Sequence, residues 1–158
     1  MNLTKSARLA YSRTRRIGSE AGSTLVEFAV TFAVMSAMLI GIMEFGLAVY
    51  TYNYVAETAR EATRYASVRG SKCSGFADCN IDQGGLLTFA QGLGYPGISA
   101  SNLSLSANWT CSPADTAPCN NPTDSVQVTV NYTFPLAIPF VPKKAMTITS
   151  TSQMVISQ

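Results

Sequence analysis

Residues 28–43 carry no charged side chain, and this uncharged segment constrains the fold more than any other feature of the chain. A helix of sixteen residues spans about 24 Å, and the hydrocarbon core of a bilayer is about 30 Å thick. The segment therefore predicts a membrane span if Glu27 and Glu44 lie near the two interfaces. Two alternatives stay open, a cleavable secretory signal peptide and a buried core helix of a soluble protein.

The charges are distributed unevenly along the chain. Residues 1–22 contain five basic side chains and one acidic side chain, whereas the rest of the chain is slightly acidic. Basic residues before a membrane span stay on the cytoplasmic side, so the leader is expected in the cytoplasm and the rest is expected to be exported. Because the basic charge lies outside the folded part, we expect no nucleic-acid partner.

The chain contains no histidine, which is the commonest general base and the usual metal ligand. The sequence GLGYPG at residues 92–97 matches a phosphate-binding glycine pattern. However, it contains a proline and precedes a predicted strand, whereas the phosphate-binding version opens a helix. We therefore expect a turn at this position, and we expect no enzymatic activity, no cofactor and no metal site.

The four cysteines all lie in the second half of the chain, at Cys73, Cys79, Cys111 and Cys119. An even number of cysteines in loop-like surroundings is typical of disulfides in an exported domain. The local pairs, Cys73 with Cys79 and Cys111 with Cys119, would close short loops, and non-local pairings stay open. A four-cysteine zinc site is the alternative, although the spacings are wider than those usual for zinc.

The helix is predicted to continue past the apolar segment, over residues 23–69. Four small or β-branched residues form one stripe at steps of four, three and four: Val55, Ala59, Ala62 and Ala66. This stripe predicts close packing against another element, most simply a sheet. Two pairs of opposite charge lie on the wetter side: Glu57 with Arg60, and Glu61 with Arg64. Gly70 is the expected stop, with Arg69 in the last helical turn.

Residues 70–158 are predicted to form a disulfide-containing, β-rich extracytoplasmic domain. The sequence GGLLTFAQGLG indicates a short helix, and three later segments have the composition or alternation of strands. Two of them alternate clearly, with one face formed by Leu103, Leu105, Ala107 and Trp109 and by Val126, Val128, Val130 and Tyr132. The third segment is residues 145–157. We predict an α+β fold with an antiparallel sheet of three or slightly more strands, capped by Leu136, Ile138 and Phe140.

The start of the apolar helix resembles the processing site of type IV pilins and pseudopilins. A basic leader is followed by Gly22, then by an apolar helix whose fifth residue is Glu27. The resemblance implies that a prepilin peptidase cuts between Gly22 and Ser23 and removes residues 1–22. The new ammonium group could then pair with the Glu27 carboxylate of a neighbouring chain or of the same chain. Such a pair would set the axial register of adjacent subunits.

The following segments narrow the resemblance to the TadE-like family of minor pseudopilins. They are EFAV, then GIMEFG, then REATRYAS, and VQVTVNYTF and ITSTSQMVIS also fit the end of that family. The resemblance implies a structural subunit that supports assembly of a tight-adherence (Tad or Flp) pilus used in cell adhesion. The implied partners are prepilin peptidase, other pilins or pseudopilins, the inner-membrane pilus assembly machinery and membrane lipid.

Two other functions stay open, a pseudopilin of a related secretion system and a membrane-anchored extracytoplasmic binding module that is never cleaved. In each case we expect one span of the bacterial inner membrane, with a cytoplasmic N-terminus and a periplasmic domain. The processing motif does not explain Glu44. This acid either marks the outer membrane interface, where it reaches water, or contacts a polar or basic group of another subunit.

Overall fold

The computed structural model describes residues 20–75, 78–136 and 145–157. The elements in chain order are helix α1 (Glu20–Ser67), helix α2 (Gln83–Gly92), a 3-10 turn (Ala100–Asn102) and strands β1 (Leu103–Thr110), β2 (Ser125–Pro135) and β3 (Ala145–Val155). Inter-residue contacts divide the chain into two compact units, with the boundary between Leu39 and Ile40. The predicted α+β class is confirmed. Residues 1–19 of the predicted leader, and Ile138 and Phe140 of the apolar loop, lie outside the described residues.

The part of α1 before the boundary is a helix that is apolar on every side. It contains no proline, and alanine, leucine and methionine favour the helical conformation. The rings of Phe28 and Phe32, one turn apart, stack with centroids 6.1 Å apart. The hydroxyl of Thr31 donates to the carbonyl of Glu27 at 2.8 Å, so it is bonded within the helix. An apolar surface on all sides is typical of a helix surrounded by lipid or by other protein.

In the part of α1 after the boundary, the side chains of one face become buried toward the C-terminal end of the helix. The predicted stripe of Val55, Ala59, Ala62 and Ala66 is confirmed, since all four are buried. Thr63 lies beside this stripe and donates to its own helix at Ala59 (2.6 Å) and to the Ser152 carbonyl of β3 (3.4 Å). The small side chains of this stripe therefore pack α1 against the sheet, as predicted.

The end of α1 differs from the predicted bounds of 23–69. The helix begins at Glu20 and ends at Ser67, so Arg69 lies beyond the last turn. Arg69 still caps the helix from outside, since its guanidinium covers the Tyr65 ring at 3.4 Å and donates to the Tyr65 carbonyl at 3.3 Å. Gly70, the expected stop, lies three residues after the last helical residue and does not have a positive φ.

The two predicted charge pairs on α1 have different outcomes. Arg60 lies 3.5 Å from Glu57, and both side chains are largely exposed. In contrast, Glu61 and Arg64, both described residues, do not come within ion-pair distance of each other. Exposed pairs of this kind contribute little to stability, so α1 depends on its buried stripe rather than on surface charges.

The three strands form one antiparallel sheet in the order β1-β2-β3. The register pairs Leu105 with Val130 and Val130 with Ser150. The predicted alternation is confirmed in β2, where Val126, Val128, Val130 and Tyr132 are buried, and in β1, where Leu103 and Leu105 are buried. These side chains form one core with the buried stripe of α1 and with α2.

The short helix predicted after the first disulfide loop is confirmed as α2, which packs against β1. Its N-terminus is capped by a side chain. The Asp82 side chain accepts a hydrogen bond from the Gly85 backbone N–H at 2.8 Å. A Cβ atom at Gly85 would lie 2.5 Å from Ile81 Cδ1, so a larger residue here would require the Ile81 side chain to move. The Gln83 side chain donates to the Leu105 carbonyl at 3.1 Å and thereby ties the start of α2 to β1.

Both disulfides are local. Cys73 is linked to Cys79 and Cys111 to Cys119, and the described residues contain no free cysteine. The segments that flank the two disulfide loops contact each other: the Ser71 N–H donates to the Asn120 carbonyl at 2.7 Å. A short network of hydrogen bonds therefore joins the end of α1 to the loop between β1 and β2.

Candidate functional site

The predicted processing residues lie in the first turns of α1. Gly22 and Ser23 are both helical and exposed. A Cβ atom at Gly22 would meet no atom within 4 Å, so packing does not require a glycine there. Glycine in a helix interior costs up to about 1 kcal/mol relative to alanine, because it loses more backbone entropy on folding. The local fold thus offers no structural reason for Gly22.

Glu27 is an exposed acid within an exposed apolar surface. Its neighbours Leu25, Val26 and Phe28 are each at least 61% exposed. Within the described part of the chain its carboxylate forms no ion pair. A carboxylate in apolar surroundings is costly unless a cation or a hydrogen-bond donor joins it. The described residues do not supply such a group, so a partner would have to come from elsewhere.

Glu44 lies seventeen positions farther along the same helix, in the second unit. It is partly buried, in a region where Ile40 and Ala48, one turn to either side, are also partly buried. It forms no ion pair with the residues that the structure describes. The two predicted assembly residues thus belong to different units of the chain.

The apolar surface around these acids is extensive. From Leu25 to Val49 the large apolar side chains other than the partly buried Ile40 are 44–71% exposed. Within the described chain, α1 is the one helix that is long and apolar enough to cross a membrane, and none of its most apolar window is buried. A core helix of a soluble protein would be mostly buried, so this exposure argues against that alternative. The helix fits a single-span membrane protein.

A cleft lined by aromatic residues was not predicted from the sequence. It has a volume of about 350 Å³ and is lined by Tyr50, Tyr52, Asn53, Tyr54, Glu57, Arg60 and Tyr95, together with Ala56. The contribution of Tyr95, more than forty residues away in sequence, had no detectable signal, because it comes from a turn between α2 and β1.

The loop between β1 and β2 contains a second feature that the sequence did not reveal. Asp124 is fully buried and accepts backbone N–H bonds from Ser112 (2.7 Å) and Asn121 (2.9 Å). Nearby, the Asn121 amide donates to Asp115 at 2.6 Å, and this bond, followed by one from the Thr116 N–H, holds the pKa of Asp115 below its ordinary value. These acids hold the loop between β1 and β2 through hydrogen bonds to its backbone and to Asn121.

The architecture defines a class: a chain with one candidate membrane-spanning helix followed by a small α+β domain with two disulfides. Within that class, residues 22–64 match the family model described as TadE-like protein. The match confirms, for this part of the chain, the resemblance predicted from the sequence, and the matched residues all lie in α1. No curated protein and no solved structure matches the chain.

Proposed function

We propose that this protein is a minor pilin-like subunit that supports assembly of a Tad-type pilus from the bacterial inner membrane. The observation that carries the proposal is the TadE-like match over residues 22–64, which begins at the glycine expected to precede the cleavage site. The exposed apolar surface of α1 supports it, because such a surface needs lipid before assembly and neighbouring helices after it. The role is structural rather than enzymatic.

Processing by a prepilin peptidase is part of the proposal. In the proposed orientation the basic leader stays in the cytoplasm, and cleavage after Gly22 makes Ser23 the mature N-terminus. Gly22 is exposed and free of packing constraints, so it can be presented to a peptidase without disturbing the fold. The disulfide-containing domain then lies outside the cytoplasm, where disulfides persist.

Glu27 is proposed to pair with the ammonium group of a neighbouring mature subunit. In lipid, an unpaired carboxylate and an unpaired ammonium each carry a large desolvation cost. Pairing the two charges removes much of that cost only when the helices have one axial register. Other pilins or pseudopilins of the pilus, together with the inner-membrane assembly machinery, are the proposed partners.

Processing can be tested by intact mass measurement and N-terminal sequencing of the membrane-extracted protein. The wild-type chain is expected to begin at Ser23, and Gly22→Val is expected to keep the leader. Gly46→Val is the matched control, because Gly46 is also a helical glycine of α1 with no atom within 4 Å of an added Cβ. This control is expected to be processed normally. A mature start near Asn53 would instead indicate a signal peptide and would overturn the proposal.

A further inference from the structure

The cleft lined by aromatic residues, defined above, lies where the exposed apolar surface of α1 ends. Val49 is the last large aliphatic side chain of that surface, and Tyr50 and Tyr52, both more than 40% exposed, follow it. Asn53 lies four residues after Val49, about 6 Å farther along the helix. The headgroup layer of a bilayer adds about 5–8 Å on each side of the hydrocarbon core. The near end of the cleft therefore starts at headgroup depth if α1 crosses the membrane. Glu57 and Arg60 lie eight and eleven residues after Val49, about 12 and 16 Å farther along the helix, so their charged groups reach toward that layer only through side chains directed back along α1.

The far wall of the cleft is fixed to the helix. The Tyr50 hydroxyl donates to the Pro96 carbonyl at 3.3 Å, and the Tyr54 and Tyr95 rings meet with centroids 4.6 Å apart. Tyr54 also packs edge-on against Tyr132 of β2. These contacts hold the turn containing Tyr95 against α1, so the cleft is already formed in the free protein rather than assembled by a ligand.

The charged groups of the cleft are one cation and one anion. Arg60 and Glu57 lie 3.5 Å apart, with side chains 72% and 47% exposed, so both remain accessible to a ligand. Helical side chains point toward the helix N-terminus, which for α1 is toward the apolar segment. An anionic ligand alone would meet the repulsion of Glu57, and a cationic ligand alone would meet that of Arg60. A ligand that carries both charges complements the pair.

We propose that this cleft binds the zwitterionic headgroup of a membrane phospholipid. The phosphodiester lies at Arg60, whose guanidinium donates to phosphate oxygens, and the ammonium group lies at Glu57. The rings of Tyr52 and Tyr95 provide aromatic faces, to which ammonium groups are attracted. The volume of about 350 Å³ is at the lower end of the range of small-molecule sites and suits a headgroup.

The inference rests on the membrane span of the proposed function, but not on processing or pilus assembly. Bound lipid would hold the domain at a fixed height above the membrane before assembly. During assembly a neighbouring subunit would then replace that lipid in the cleft. The inference thus identifies one class of lipid as a partner of this chain.

Native mass spectrometry of the full chain in detergent can test the inference. Phosphatidylethanolamine and phosphatidylglycerol with the same acyl chains are titrated separately, and soluble glycerophosphoethanolamine is titrated as a third probe. We expect the wild type to retain phosphatidylethanolamine about tenfold more tightly than phosphatidylglycerol. The reason is that the ammonium group of phosphatidylethanolamine adds one charge-assisted contact, to Glu57. The soluble headgroup should bind more weakly than the lipid, because it lacks the acyl chains that lie along α1.

Two double variants with unchanged net charge provide the comparison. Glu57→Gln with Arg60→Gln should reduce the tenfold preference to about none, because it removes both charges of the cleft. Glu61→Gln with Arg64→Gln is the matched control, since these residues have the same spacing on α1 but do not line the cleft. The control should keep the preference.

Equal retention of the two lipids by the wild type, or equal loss in both double variants, would overturn the inference. Tight binding of the soluble headgroup would overturn the assignment to a lipid. Carbonate extraction of the same membranes shows whether a negative result contradicts only the headgroup site or also the membrane span of the proposed function. A chain that carbonate releases has no membrane span and overturns both proposals, whereas a chain that stays in the membrane without lipid preference overturns only the headgroup site.

Discussion

Replacement of Asp124 gives a direct test of how the loop between β1 and β2 is held. The carboxylate is fully buried, and its two oxygens accept separate backbone N–H groups, from Ser112 next to one end of the Cys111–Cys119 disulfide loop and from Asn121 just beyond the other. Hydrogen bonds to a charged group contribute about 1.5–3 kcal/mol each. Asp124→Ala removes both and should therefore lower the free energy of unfolding by about 3–6 kcal/mol.

This loss is large relative to the total stability of a small domain, about 5–15 kcal/mol. For an m value of about 2 kcal/mol per molar urea, the unfolding midpoint should fall by about 1.5–3 M. Asp124→Asn keeps one acceptor oxygen and should fall between the wild type and the alanine variant. Trp109, the single tryptophan of the chain, reports the transition by fluorescence, because it lines a cleft with Pro118, Cys119 and Asn120 of the same loop.

Asp115→Ala provides the control for this measurement. Asp115 is in the same loop, but it is only partly buried, and it accepts its bonds from the Asn121 side chain and the adjacent Thr116 N–H. Its midpoint shift should be clearly smaller than that of Asp124→Ala. If the two alanine variants have equal midpoints, burial of the Asp124 carboxylate is not what holds the loop, and the reasoning fails.

Further predictions concern the other acids and the cysteines. Glu27→Gln should be inserted and processed normally while its incorporation into pili, followed by immunoblotting of sheared pili, decreases; unchanged incorporation would contradict the charge pairing. Glu44→Gln should assemble normally if this acid only reaches interfacial water, and loss of co-purification with other pilins would assign it a contact. Peptide mapping without reductant should recover Cys73 with Cys79 and Cys111 with Cys119, and zinc or alkylatable thiols would refute this. Asn121→Ala should raise the pKa of Asp115 toward its ordinary value in an NMR titration. Because that pKa is depressed in the folded protein, its stabilising effect is present above the unfolded pKa and is lost as pH falls through the folded pKa, and this loss should weaken in the variant.

The elements with a repeating pattern could be predicted from the sequence. The alternation of Val126, Val128 and Val130 fixes which face of β2 is buried, and the stripe from Val55 to Ala66 fixes the buried side of α1. Both follow from local periodicity. In a strand every second side chain lies on the same face, and in a helix every third or fourth side chain does. The order of the strands follows from consecutive antiparallel connections.

The features that depend on contacts between distant segments could not be predicted. The sequence around Asp124 does not distinguish it from other acids in loops. Its buried position depends on the fold, which places the Ser112 N–H beside its carboxylate. Tyr95 likewise joins the cleft through a turn that contacts α1 by the Tyr50 to Pro96 hydrogen bond and by the Tyr54 to Tyr95 ring contact. The helix end was predicted two residues late because Arg69 continues the helical composition while its side chain folds back onto Tyr65. In each case the deciding partner is set by tertiary structure rather than by spacing.

The local pairing of the cysteines has a mechanical consequence. Each disulfide joins residues only six or eight positions apart in sequence, so neither bond connects α1 to the sheet or one strand to another. A pulling force applied between α1 and the end of β3 is therefore resisted by noncovalent contacts, such as the Ser157 N–H to Ser67 carbonyl bond of 2.9 Å. Once these contacts yield, nearly the whole domain can extend, at up to about 3.3–3.6 Å per residue. The domain is thus a compliant element under tension, and reducing its disulfides would lengthen the stretched chain only slightly.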